Sequence, residues 1–182
     1  MGQSLMMVVF DTETSGLIEN PARKLDSQPE IISIAIQSID LEKAEIFDHY
    51  YCEFKPLKPI SANITEITGI TNERLEIAPS IESQLPYIIP RLRGAPVLIG
   101  QNIRFDMDMI ELECRRYQYP SFKWPRILDL VQNTIHLKGY RLSLTNLHLE
   151  LFGTAFESAH DAGVDCSATS KCAIELFKRG LL

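Results

Sequence analysis

Phe10-Asp11-Thr12-Glu13-Thr14-Ser15-Gly16-Leu17, entered from the apolar run Leu5-Met6-Met7-Val8-Val9, is the stretch on which the fold turns. An apolar run of that length suits a buried strand, and Ser15-Gly16 is a turn signal that ends it. Asp11 and Glu13 therefore lie on or just past a strand's end. Being two apart in extended chain, their side chains share one face. Two close carboxylates repel unless a positive group sits between them, and the simplest such group is a divalent metal. A strand running into a solvated acidic turn explains the same residues, and this stretch alone does not separate the two readings.

Outward from that stretch, the chain has the length of one filled domain: 182 residues, 45% hydrophobic and 23% charged. Its formal charge of −6 does not suggest a polyanion binder, since such proteins are often basic. Two bound divalent ions would bring that charge to about −2, so much of the acidity can belong to a site that holds them. Cys52, Cys114, Cys166 and Cys172 form no C-x-x-C pair, which argues against a zinc knuckle or a disulfide framework and for a reducing cytoplasm. No apolar run approaches a membrane span, and no secretory signal pattern opens the chain.

Residues 19–30, with Asn20-Pro21 and Gln28-Pro29, read as a loop near the site. Residues 31–36 read as a buried strand and 44–54 as a wetter partner, the short link between them favouring an antiparallel pair. Ser61 and Thr71 look like caps of two short helices. Ser80 opens a longer amphipathic stretch in which Pro86 and Pro90 predict a kink or a break. Val97-Leu98-Ile99 is a short strand, followed by a helix with Phe105, Met109, Leu112 and Arg116 on one stripe, the arginine stem covering apolar surface. Ile127-Leu128 is a minimal strand with a helix after it. Ser143 caps a helix over 142–151, and a last helix begins near Ser158. This succession is an α/β pattern without repeats or linkers.

More acids follow strands or open helices. Asp106 and Asp108 stand about 200° apart on a helix, so only one faces a given site. Asp106 shares a face with Asn102, where the preceding strand ends, which selects Asp106 and leaves Asp108 to solvent. Asp161 falls in a first helical turn, where a carboxylate is favoured by the helix N-terminus itself. Asp165 lies mid-helix on the apolar stripe, where a lone carboxylate is costly and a metal ligand accounts for it. His160 is about 140° from Asp165 on an ideal helix, so the two converge only if His160 belongs to a loop or distorted turn.

The first stretch, then Gly100-Gln101-Asn102-Ile103-Arg104-Phe105-Asp106, then His160-Asp161-Ala162-Gly163-Val164-Asp165, resemble in order and separation the three motifs of the DEDDh exonuclease family. Ile67-Thr68-Gly69-Ile70-Thr71 and Leu142-Ser143-Leu144 are similar to its proofreading-subunit branch, extending the likeness over residues 6–177. The resemblance implies a ribonuclease H-like fold, a five-stranded mixed sheet with helices on both faces. It implies hydrolysis of single-stranded DNA, or RNA, from the 3′ end to nucleoside 5′-monophosphates. By the same likeness Asp11, Glu13 and Asp165 hold one ion, and Asp11 with Asp106 a second. Two ions about 3.5–4 Å apart can ripen a water and stabilise the leaving oxygen. Hard oxygen ligands point to Mg²⁺ or Mn²⁺.

His160 is the implied general base, an unperturbed imidazole titrating near pH ~6.5. Thr12, Thr14, Gly16, Leu17, Asn102 and Phe105 are the implied substrate contacts, with Leu17 against the terminal base or else in ordinary core packing. Thr68 and Gln101 stand where that branch often has histidine, which bears on the grip on the terminal nucleotide and on the choice of branch. Arg104, Lys138 and Arg141 are candidate phosphate contacts or plain solvated cations. Trp124 is expected to pack rather than to stack on a base.

A phosphatase with an aspartyl nucleophile could begin the same way, but its second acid is usually Asp, and His160 would be idle. A nucleic-acid-binding or scaffold domain that has lost turnover would not need all five side chains. A DNA polymerase is a candidate partner. With little chain beyond the last helix to tether it, a stand-alone nuclease or docking by the folded surface is expected.

Overall fold

The computed structural model describes residues 5–19, 24–156 and 160–182. Asn20-Pro21 of the first loop and Ser158 lie outside the described residues. Five strands form one sheet in the order β3-β2-β1-β4-β5. They are β1 Met6–Thr14, β2 Ile31–Asp40, β3 Glu45–Glu53, β4 Val97–Gly100 and β5 Arg126–Asp129. β1 is central, antiparallel to β2 and parallel to β4. β3 continues antiparallel beyond β2, and β5 parallel beyond β4. The mixed sheet and the antiparallel β2/β3 pair agree with expectation, but β1 and β2 run further than their apolar segments. Backbone pairing carries β1 through Asp11 and Glu13 to Thr14, so both acids lie within the strand rather than past it.

Eight α-helices and a single 3-10 turn at Leu25–Ser27, within the stretch expected as loop, complete the described residues: α1 Ala62–Thr68, α2 Asn72–Glu76, α3 Ile81–Arg93, α4 Ile103–Arg116, α5 Leu130–Asn133, α6 Ile135–Lys138, α7 Leu144–Phe152 and α8 Ala162–Lys178. The hydroxyls of Ser61, Thr71, Ser80 and Ser143 each accept an N–H of the first turn, as their positions predict. The single helix expected after β5 is two short ones, α5 and α6, meeting at Thr134.

The break expected in α3 is absent, and the helix is continuous through Pro86 and Pro90. Both prolines are exposed, opposite the buried stripe of Ile81, Leu85, Ile88, Ile89 and Leu92. The carbonyls their rings leave without an N–H thus face water, while the buried stripe holds the helix together.

Two apolar layers flank the sheet. Val8, Phe10, Ile34, Ile36 and Leu98 pack with α3 and α4, and Trp124 lies against this layer, stacked 6.3 Å from Phe10, so packing accounts for it. Met7, Val9, Ala35 and Ile99 pack with α7 and α8. β1 alternates between the layers, which fixes its register, since a slip of one residue would exchange them.

Arg116 departs from expectation. Its side chain is 6% exposed and its guanidinium is drawn inward against Glu113, rather than reaching solvent over an apolar stem.

Candidate active site

The alternation that sends Met7 and Val9 toward α8 sends Asp11 and Glu13 the same way, at the end of the sheet where α8 begins. Asp161 caps α8, whose first residue is Ala162 rather than one near Ser158, so Asp165 lies in the first turn of the helix, not mid-helix as expected. Cys166, next to it, is buried under the sheet with its thiol 3.5 Å from the Val9 carbonyl. This contact seats the helix N-terminus beside the two acids.

Asp106 arrives from the other side. β4 pairs with β1 only through Val8 and Val9, so the Thr12 amide lies beyond its reach. The Asp106 carboxylate takes the vacant place, accepting from Thr12 N at 2.9 Å and from Thr12 Oγ1 at 2.6 Å. It is 5% exposed, whereas Asp108 pairs with Arg104 at the surface.

The turn that delivers Asp106 is tightly made. A Cβ on Gly100 would stand 2.9 Å from Ile103 Cβ, so the chain can double back only on glycine there. Asn102 then adopts the left-handed region at φ 60°, which asparagine tolerates. Asp129, at the end of β5, accepts from Asn102 N at 3.0 Å and Val131 N at 2.9 Å, pinning this turn and capping α5 together. Asp129 was not foreseen. An aspartate between a strand and a helix is nevertheless the standard mark of a cap.

His160 precedes α8, in a turn with φ 72°, so it is not on the helix with Asp165. Its backbone N–H donates to Asp165 Oδ2 at 3.0 Å. Ligand atoms of Glu13, His160 and Asp165 lie within 4.8 Å of one another. Asp161 caps α8, accepting from Gly163 N and Val164 N. Its place as a helix-terminus acid is thus structural.

The carboxylates disturb one another. Burial, then Asp106, Asp165 and Glu13, raise the Asp11 carboxyl well above its usual range. Burial, then Asp165 and Asp106, push Glu13 up to about 8. Asp106 rises to about 7 through burial, against the bonds from Thr12. Asp165 is raised by burial, with His160 opposing. Asp165 Oδ1 is buried without a hydrogen-bond partner. Four mutually repelling carboxylates and an orphaned acceptor fit a hard divalent cation, which would relieve both.

The substrate candidates divide. Leu17 is 80% exposed, which removes the core-packing alternative. Thr14 Oγ1 donates to Gly16 O at 2.7 Å and shapes the turn before it. Asn102 is exposed at the mouth of α4, and Phe105 is half-buried against the core. Thr68 bonds within its own turn, donating to Ile64 O and accepting from Ile70 N. Gln101 Nε2 donates to Leu142 O at 2.8 Å. Lys138 pairs with Glu150, and Arg141 is exposed.

A family model described as Exonuclease matches residues 8–173. A PolC-type DNA polymerase III of Caldanaerobacter subterraneus is 30% identical over 176 residues, 94% of this chain and 12% of that protein. The 3′-5′ exonuclease DinG of Bacillus subtilis is 28% identical over 178 residues, 94% of this chain and 18% of that protein. The chain thus spans under a fifth of the length of either relative. The nuclease domain of 3′hExo, a DEDDh family member bound to rAMP, superimposes with a TM-score of 0.77 at 18% identity, covering 98% of this chain and 94% of that one. The five-stranded mixed sheet with its helices is the ribonuclease H-like fold of those neighbours.

Proposed function

Because the chain belongs to the exonuclease family, we propose that it acts as a metal-dependent 3′–5′ exonuclease, one domain that shortens single-stranded DNA and releases nucleoside 5′-monophosphates. The observation that carries this is the meeting of ligand atoms of Glu13, His160 and Asp165 within 4.8 Å of one another, with an Asp165 oxygen left without a hydrogen-bond partner and with burial, Asp106 and Asp165 raising both Asp11 and Glu13. DNA is favoured over RNA by the relative at 30% identity, which is a DNA polymerase by name.

Asp11, Glu13 and Asp165 would hold one divalent ion, Mg²⁺ or Mn²⁺, and Asp11 with Asp106 a second. When bound, such ions neutralise charge on the phosphate and lower the pKa of a coordinated water. His160, exposed on its turn, takes the proton of the attacking water. Its backbone tie to Asp165 keeps the imidazole over the acids. Thr12 holds Asp106 from two atoms, so that carboxylate needs no reorganisation when substrate arrives. Leu17 rests against the terminal base, and Thr12, Thr14 and Gly16 line the nucleotide beside it. Association with a DNA polymerase in the cytoplasm belongs to the same reading.

The test is digestion of matched 3′- and 5′-labelled DNA and RNA strands in Mg²⁺, Mn²⁺ or chelator. Stepwise loss from the 3′ end of DNA, stopped by chelator, is expected. Faster loss from RNA would make the chain an RNA-trimming enzyme, and retention of intact strands without cleavage would make it a binding domain.

A further inference from the structure

Glu113 and Arg116 form a charged pair deep in the molecule that the chemistry above does not use. Their side chains are 0% and 6% exposed, with Nη1 2.5 Å from Oε2. The outward contacts all go to one segment. Arg116 Nη2 donates to the carbonyls of Leu25 at 3.3 Å, Gln28 at 3.3 Å and Pro29 at 2.9 Å, and Glu113 Oε1 accepts from Ile31 N at 2.9 Å. A pair this deep is commonly no more stabilising than apolar residues of the same volume, so stability alone is a weak reason for it. What it adds is direction: it fixes, through the backbone, the segment that leads into β2.

That segment is in turn tied to the chain carrying Leu17. Ser15 N donates to Glu30 O at 2.8 Å, Glu30 N to Ser15 Oγ at 2.9 Å, and Glu19 N to Gln28 Oε1 at 3.0 Å. Leu17 projects between these ties, beside a cleft of about 360 Å³ that Gly16, Gln28, Pro29 and Lys58 also line. The helix bearing the pair also bears Asp106. Seven residues separate Asp106 from Glu113, so they share a face about 10 Å apart along the axis. Rigid α4 thus sets the distance from the carboxylates to the leucine.

We propose that Glu113 and Arg116 are positioning residues for the 3′-terminal nucleotide, holding Leu17 in register with the catalytic carboxylates through the 25–31 segment. This rests on the exonuclease reading above. The test compares a single strand ending in an ordinary nucleotide with one ending in an abasic nucleotide, which offers Leu17 no base. For Glu113→Gln/Arg116→Met, KM on the ordinary strand should rise about 10-fold or more, with kcat near that of the parent and KM on the abasic strand unchanged. Added to Leu17→Ala, the same changes should cost nothing further. Arg116→Lys, which keeps the charge but loses the planar fork, should fall between, and carries the same comparison if the double variant does not fold. Equal losses on both strands, unchanged KM on both, or full additivity with Leu17→Ala would overturn the proposal. A parent protein that shortens neither strand would instead overturn the exonuclease reading beneath it.

Discussion

The two oxygens of Asp165 are unequally satisfied: one is held by the His160 amide, and the other is buried with nothing to accept from. Asp165→Ala or Asp11→Ala should therefore abolish nucleotide release at saturating Mg²⁺, and substantial residual rate would remove that residue from the mechanism. His160→Ala should cost about 10²–10⁴-fold in rate and flatten the pH profile if the imidazole is the general base. A normal rate with an unchanged profile would exclude it. The acids also predict how the metal-free protein responds to pH. Glu13 moves from 4.5 to about 8 and Asp106 from 3.8 to about 7 on folding, so between these limits the folded chain binds more protons than the unfolded one. Stability is then full at the acid end and lost as pH rises through the folded values. Melting of chelated protein should fall from about pH 5 to pH 8, and Mg²⁺ should remove most of that slope. A rising or flat melting curve in chelator would contradict the clustering.

At the scale of elements, local signals were legible and tertiary ones were not. Ser61, Thr71, Ser80 and Ser143 announce helix starts because a cap is a contact between residues three apart. Pro86 and Pro90 mislead for the complementary reason: whether a missing N–H breaks a helix depends on which side faces water, which only packing decides. Pro86→Ala should raise stability by about 1–3 kcal/mol, since the helix already runs through that position. No change in thermal or urea unfolding would mean the ring costs nothing there. Arg116 belongs to the same class of misreading, because its acceptors are carbonyls 87 to 91 residues away. Asp129 joins the Asn102 turn to α5 with one oxygen, so Asp129→Ala should destabilise by about 1–2 kcal/mol and loosen Asp106 with it. Unaltered unfolding and unaltered rate would contradict that link.

For the molecule as a whole, the succession of strands and helices showed an α/β pattern, and the five-stranded mixed sheet was legible only through the resemblance that the three motifs carry. What the chain order conceals is how the acids meet. Asp11, Glu13 and Asp165 approach from the α8 side of the sheet, Asp106 from the α4 side, and Thr12 is the residue through which the two sides touch. β1 is the strand common to both layers, bonded to β2 along its length and to β4 in its first half. Its amides should be among the last to exchange with deuterium, and on slow heating nuclease activity should vanish with the global transition rather than ahead of it. Two of the cleaving groups, Asp11 and Glu13, ride on that strand, so a warmed population should divide into intact copies and inert ones, with few damaged copies that still cut.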